Sequence, residues 1–392
     1  MTRPVTLDVS RLIRRACFAT PTGIDRVERA YARYYLDEYD GPVDLVLHMP
    51  VIGDRRISSA KAQAFLARLD AQWMGQAAAI TGLDIAKLVA GSDRFQCPDS
   101  GITIIPSHQH LHSEMMLVRR RGQGKLVLFV HDAIPSDYPE YAQAGGAQKH
   151  RRRLNNAISM ACGIIVNSAD TAARLTDYVP SGTTVPPILV AHIGLDPLPP
   201  PDAALVLPDK PYFVVIGTIE PRKNHLLLLH IWRQFAQRQV PGQAVPNLVI
   251  VGRRGWENEN IIDLLDRSAF LKGHVIEMPG LGDAQLSALV RGSRAVLMPS
   301  FAEGYGMPVA EALAAGIPVI ASDLPVFREV AGDIPDYRDP LDGAGWAAVI
   351  RDYANENSVL RQQQMARLHG WAPPSWSDHF EKVAAFIDGL KP

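Results

Sequence analysis

Cysteine is scarce in this sequence: Cys17, Cys97 and Cys162 are the only three among 392 residues, and no two are spaced as C-x-x-C. That excludes a disulfide framework and fits a reducing compartment. No apolar run approaches the roughly 18 residues of a membrane-crossing helix. The start, from Met1 to Arg15, has no apolar core of signal-peptide length. The expectation is therefore a cytoplasmic protein. An excess of either charge is also missing, with 40 Lys and Arg against 41 Asp and Glu. No global field then argues for nucleic acid as a partner. No G-x-G-x-x-G follows any strand-like run, which weakens a dinucleotide-dependent oxidoreductase.

What is present is long enough for two domains, with the apolar and charged fractions of a globular protein (47% and 21%). Short apolar runs alternate with helical periodicity, which argues for parallel sheets covered on both faces. In the first half the runs are Val5–Val9, Val43–His48, 101–107, 126–131, 163–167 and 187–192. Helices are expected over Ile24–Tyr35, Ala60–Trp73 and 169–178, and residues 74–100 have no clear pattern. Residues 199–210 read as a proline-rich linker. A second βα series follows from Tyr212, and a last helix covers Asp378–Leu390.

The most informative stretch is RAVLMPSFAEGYGMPVAEALAAGIPVIASD, residues 294–323. It reads as strand, glycine loop, short helix and strand. Pro308 suits the first turn of that helix and Gly316 its stop. The helix start offers N–H groups at the carboxyl end of a strand, where anionic ligands bind in open α/β sheets. Two carboxylates frame it, Glu303 and Glu311, and ionised carboxylates accept hydrogen bonds from sugar hydroxyls. A nucleotide-sugar has the ribose, diphosphate and hexose that such a set would hold. A second cationic turn, GTIEPRKNH (217–225), places Arg222 and Lys223 ahead of a leucine-rich helix. Cations there oppose the helix dipole unless an anion lies between, and Arg can grip a diphosphate in bidentate fashion.

The 294–323 stretch resembles the E-x7-E signature of retaining glycosyltransferases of family 4, and the longer G-T-x-E-P-R-K-N turn resembles bacterial mannosyl- and rhamnosyltransferases. The likeness is strong over 211–340 and looser over 1–196. It includes His131-Asp132 at a strand end, Asn167-Ser168, Gly194-Leu195-Asp196 and the loop Thr22-Gly23-Ile24-Asp25-Arg26-Val27, which has one glycine where the family commonly has two. The resemblance implies an α/β protein of GT-B architecture: two Rossmann-like domains with parallel sheets facing a central cleft. It places an acceptor domain at 1–198, the linker at 199–210, a nucleotide-sugar domain at 211–372 and a terminal helix at 373–392 that packs back on the first domain.

The implied reaction moves a hexose, with GDP-mannose favoured as donor, to a hydroxyl of a glycan or lipid-linked saccharide in bacterial surface polysaccharide synthesis, with retention. Glu303 and His131 take the catalytic roles. Donor binding falls to Arg222, Lys223, Gly306, Met307, Pro308, Glu311, Gly23, Gly217 and Leu281, the last in a turn lying against the base. No cofactor and no metal are expected, in keeping with the absence of D-x-D. A nucleotide-sugar epimerase of similar architecture and a non-catalytic nucleotide-sugar-binding partner are the alternatives.

Three features stay outside this scheme. His108, His110 and His112 alternate, and on a strand they would share a face, open to a metal site or to a polar acceptor edge. The basic clusters Arg119-Arg120-Arg121 and 149–153 are open to two readings, a solvated face or contact with an anionic membrane surface.

Overall fold

The computed structural model describes residues 3–49, 52–97, 100–122, 124–239 and 244–390. The chain divides into two compact units, Met1–Gly194 with Pro374–Pro392, and Leu195–Pro373.

Among the described residues the first unit holds eight strands: β1 (Val5–Asp8), β2 (Val43–Met49), β3 (Gly53–Ile57), β4 (Asp93–Arg94), β5 (Ile102–Ile105), β6 (Lys125–Val130), β7 (Gly163–Val166) and β8 (Ile188–Val190). Their spatial order is β4-β3-β2-β1-β5-β6-β7-β8. β1, β5 and β7 are buried along their whole length, as short apolar strands covered on both faces must be. The sheet is mixed rather than parallel throughout, because β3 runs antiparallel to β2 and β4 antiparallel to β3. Both lie at the margin of the sheet. Gly53-Asp54-Arg55-Arg56-Ile57 has no apolar run to announce it, since a strand next to the short edge strand β4 is only partly buried. Within the stretch that lacked a pattern, Gly82–Ala90 forms a helix, capped by Thr81 and Asp84 in a reciprocal box.

The helix Trp376–Gly389 belongs to this first unit. Phe380 stacks flat on Tyr34 with ring centroids 4.0 Å apart. The Tyr31 hydroxyl meets His379 Nε2 at 2.9 Å, and His379 Nδ1 lies 2.9 Å from the His192 carbonyl oxygen. A carbonyl only accepts, so Nδ1 carries the proton and Nε2 accepts from the tyrosine. Gly194 makes room for this packing: a Cβ there would lie 2.3 Å from the backbone nitrogen of Trp376. Gly194→Ala is expected to destabilise the first unit by about 3 kcal/mol, measured by urea unfolding. A loss under about 1 kcal/mol would count against this packing.

The second unit holds β9 (Tyr212–Ile216), β10 (Asn247–Val251), β11 (Val275–Glu277), β12 (Ala295–Met298), β13 (Val319–Ser322) and β14 (Asp336–Arg338). All neighbours are parallel, in the order β11-β10-β9-β12-β13-β14. Trp232, Phe213, Leu297 and Trp346 lie in the core on one face of the sheet. Val214, Val296, Val309 and Phe327 fill the other. The segment read as a linker packs on this unit: the Asp202 N–H donates to the Ala284 carbonyl at 3.0 Å, and Ser287 Oγ donates to the Pro199 carbonyl at 2.7 Å. Its prolines leave few N–H groups to satisfy, so a helix of the second unit can hold it through a few bonds.

Candidate active site

The strand order of the second sheet turns back at β9 and β12. β9 leads to β10 on one side, while β12 leads to β13 on the other. The loops after β9 and β12 therefore leave the sheet side by side, at the position where open α/β sheets hold ligands. Phe301 N–H donates to the Arg222 carbonyl at 2.9 Å, and Asn224 Nδ2 donates to the carbonyls of Pro299 (3.1 Å) and Pro340 (3.0 Å). Asn224 has a left-handed backbone (φ 55), which asparagine tolerates better than most residues. It fixes the turn from Pro221–Lys223 into the helix His225–Gln237.

This turn brings the cations onto Glu303. Arg222 Nη1 donates to Glu303 Oε2 at 2.8 Å, and Lys223 Nζ and Ser300 Oγ donate to Oε1 at 2.5 and 2.7 Å. Arg222 is also gripped by Glu220 Oε1, 2.6 Å from Nη2, and donates to the Ala302 carbonyl at 2.7 Å. The Glu303 side chain is only 7% exposed. Burial pushes its carboxyl up, but Arg222 and Lys223 outweigh it and hold it down to about 2. An acid so firmly ionised is no proton donor at neutral pH. It can accept hydrogen bonds from hydroxyls and face a developing positive charge.

Gly306 opens the helix Met307–Ala314 with φ 89, and a Cβ would meet the Phe327 ring at 2.4 Å. Only glycine satisfies both. Val309 N–H is taken by the Gly306 carbonyl, and Pro308 has no N–H to give. Of the three positions assigned to the helix start, Gly306 and Met307 can donate, and Pro308 acts by presetting the helical φ. Glu311 lies one turn inside the helix and is half-buried. Gly217 follows β9 and backs the Lys223 stem. Leu281 lies in the turn after the edge strand β11 and packs partly on the core.

The other assigned residues lie in the first unit. His131 follows β6 and is buried (4% exposed), its ring stacked on Phe129 at 4.3 Å. Nε2 lies 2.8 Å from the Pro106 carbonyl oxygen, so it carries the proton and Nδ1 is the acceptor nitrogen. Burial pushes this histidine down to about 4, which keeps it neutral. Asn167 Nδ2 donates to its carbonyl at 2.9 Å. Gly23 begins the helix Gly23–Asp37, where Thr22 and Asp25 make a reciprocal cap. Asp25 also takes Arg11 at 2.6 Å and Arg15 at 3.0 Å. Asp25 thus ties this loop to the segment that follows β1.

The three imidazoles do not converge. β5 ends at Ile105 and the chain turns after Pro106, so the alternation of a strand does not apply. His108 packs between His131 (5.4 Å) and His150 (4.9 Å), while His110 packs on His48 (5.1 Å). Among the described residues no three His, Cys, Asp or Glu are placed to hold a metal ion. The basic run 119–121 is not wholly a solvated face either: Arg120 is buried, with Nη2 2.9 Å from Asp8 Oδ2.

Glu220, Ser300 and Asn224 are working parts that sequence reasoning left unassigned. All three stand inside the two motifs: Glu220 and Ser300 bind within their own loops, to Arg222 and Glu303, while Asn224 reaches the Pro299 carbonyl of the other loop. The buried histidines give the protein an acid limit. His108, His131, His225 and His379 are all pushed below the usual histidine value, first by burial. The unfolded chain then takes up protons the folded one refuses, so stability falls as pH drops from about 6.5 towards 4, by up to about 1.4 kcal/mol per pH unit for each. Glu28, pushed up to about 8 by burial, works the other way over part of that range. The depressed Glu303 adds a further loss between about 4.5 and 2. Urea midpoints measured at pH 7, 6 and 5 should fall in that order, and a flat profile would contradict the burial of these rings.

Comparison with known proteins places this geometry. Residues 202–334 match the family described as glycosyl transferases group 1. The chain is 30% identical over 250 residues to the serotype-specific mannosyltransferase WbdA of Escherichia coli, which covers 59% of this chain and 30% of that protein. It is 29% identical over 242 residues to the E. coli O-antigen chain mannosyltransferase B, which covers 60% of this chain and 62% of that one. The chain thus spans less than two thirds of the length of these curated relatives. Among solved structures it superposes on Anabaena HepE, in complex with UDP and glucose, with a TM-score of 0.64, 16% identity and coverage of 99% of this chain and 100% of that one. The sucrose-phosphate synthase of Thermosynechococcus elongatus gives a TM-score of 0.63 at 16% identity and 99% coverage of both. Residues 202–334 thus match glycosyl transferases group 1, in a chain of GT-B fold that is similar to bacterial mannosyltransferases.

Proposed function

We propose that the protein is a retaining glycosyltransferase that moves mannose from GDP-mannose to a hydroxyl of a glycan or lipid-linked saccharide in bacterial surface polysaccharide synthesis. The observation that carries the reading is the pairing of Arg222 and Lys223 with the ionised Glu303 where the second sheet's strand order turns back. The mannosyltransferase relatives favour mannose.

In this reading the second unit holds the nucleotide-sugar and the first the acceptor. Arg222 and Lys223 take the charge of the leaving diphosphate, with the Gly306 and Met307 amides beside them, so the reaction needs no metal ion. Glu303 holds hydroxyls of the donor hexose and stabilises the oxocarbenium-like centre. Glu311 holds the ribose hydroxyls, Gly217 leaves space for the phosphates, and the turn at Leu281 lies against the base through backbone atoms. His131 lines the sugar side as a neutral hydrogen-bonding group, with Gly23 in the neighbouring loop. The acceptor attacks on the face the phosphate leaves, and that phosphate takes the acceptor's proton, which gives retention. The protein works in the cytoplasm at the membrane's inner face. Among the described residues no helix is long and apolar enough to cross a membrane.

The test is nucleotide release from GDP-, UDP- and dTDP-sugars, with and without saccharide acceptor. GDP-mannose is expected to turn over with acceptor, unaffected by EDTA, with activity lost in Lys223→Ala. Release from no donor, with no thermal shift on adding any of them, would overturn the reading.

A further inference from the structure

The first unit has a cavity of about 820 Å³ that the transfer reaction leaves without a role. It opens beyond β2 and β5, the two neighbours of β1, where the first sheet's strand order also turns back. Arg55 and Arg94 line it from β3 and β4, in direct register across the pair. Like charges so placed repel, and among the described residues neither has an ion-pair partner. The acids around them are engaged elsewhere: Asp44 and Asp93 face Arg56, and Asp54 faces His48 at 2.8 Å and Arg120 at 3.5 Å. Among the described residues Arg55 Nε is buried without a hydrogen-bond partner. Arg119 adds a third guanidinium, with a long contact of 3.7 Å to Asp54.

His110 and His112 complete the polar wall. His110 has a left-handed backbone (φ 64), a costly conformation for a residue with a side chain, and here it turns the ring onto His48. Burial holds both histidines below the usual value, so near neutral pH they act as N–H donors while the arginines supply the charge. Exposed Ile52 and Met115 form an apolar rim.

We infer that this cavity binds a phosphate or diphosphate ester with an apolar substituent, held by Arg55, Arg94 and Arg119. Guanidinium groups match phosphate oxygens in bidentate fashion, and a bound anion cancels the repulsion between the facing arginines. None of these residues belongs to the unit that holds Arg222, Lys223 and Glu303. The same chemistry could be offered by a soluble phosphate ester or by a lipid headgroup.

The experiment is calorimetric titration of the full chain with inorganic pyrophosphate, comparing wild type, Lys223→Ala, Arg119→Gln and the double variant Arg55→Gln/Arg94→Gln. Both sets of arginine variants are expected to bind at least about tenfold more weakly at a site that Lys223→Ala retains. The double variant removes a repulsion, so its melting temperature is expected not to fall. Binding lost in Lys223→Ala and unchanged in the arginine variants would overturn the inference and leave the donor reading standing. Binding lost only in the arginine variants would uphold it even if the donor reading failed. Co-sedimentation with phosphatidic acid vesicles, against phosphatidylcholine alone, separates the sources. Capture that pyrophosphate competes away assigns a lipid headgroup, and pyrophosphate binding without capture assigns a soluble ester.

Discussion

Glutamine at position 303 is expected to lower glycosyl transfer about a thousandfold while binding nucleoside diphosphate no more weakly than the wild type. The two effects separate because Glu303 faces two ways. In the proposed reaction its charge stabilises positive charge that develops at the transferred sugar, an interaction strongest in the transition state. The same carboxylate also occupies Arg222 and Lys223, at 2.8 and 2.5 Å. Neutralising it frees those cations for a diphosphate, so calorimetry with GDP should show equal or tighter binding. Folding should suffer by about 3 kcal/mol, since Lys223, partly buried, loses its counter-charge while Arg222 keeps Glu220. Lys223→Ala should do the opposite, weakening GDP binding by about tenfold or more. If both variants lost GDP binding and turnover in proportion, Glu303 would be a binding group only.

The other large effect concerns the terminal helix. Phe380→Ala is expected to destabilise the first unit by about 4 kcal/mol, lowering its melting temperature by roughly 10 °C. Phe380 is buried against Tyr31, Tyr34 and Trp376. Its removal leaves a cavity among rings too large to collapse together. Calorimetry on wild type and variant gives the answer, and a shift of less than about 2 °C would mean that the aromatic cluster contributes little.

The parts of the fold that were legible in the sequence are those written locally. β1, β6, β9 and β12 are apolar runs that only a doubly covered strand can use. β3 and β4 were illegible because short strands at the margin of a sheet, rich in arginine, have the composition of a loop. The imidazole triplet misled for a related reason. Alternation implies a shared face only if the backbone is extended, and Pro106 with the left-handed His110 makes it turn.

By itself the sequence determined the repeated βα units, the E-x7-E stretch and the cationic turn, because hydrophobic period, glycine and proline placement and charge type are local properties. It also singled out Glu303, Arg222 and Lys223, which the fold brings into contact. Tertiary structure decided what each of them touches. Only the strand order, with β9 beside β12, brings residues 80 positions apart to within 3 Å. That contact in turn fixes Glu303 as ionised, since a buried carboxylate keeps its charge only where cations outweigh the cost of leaving water.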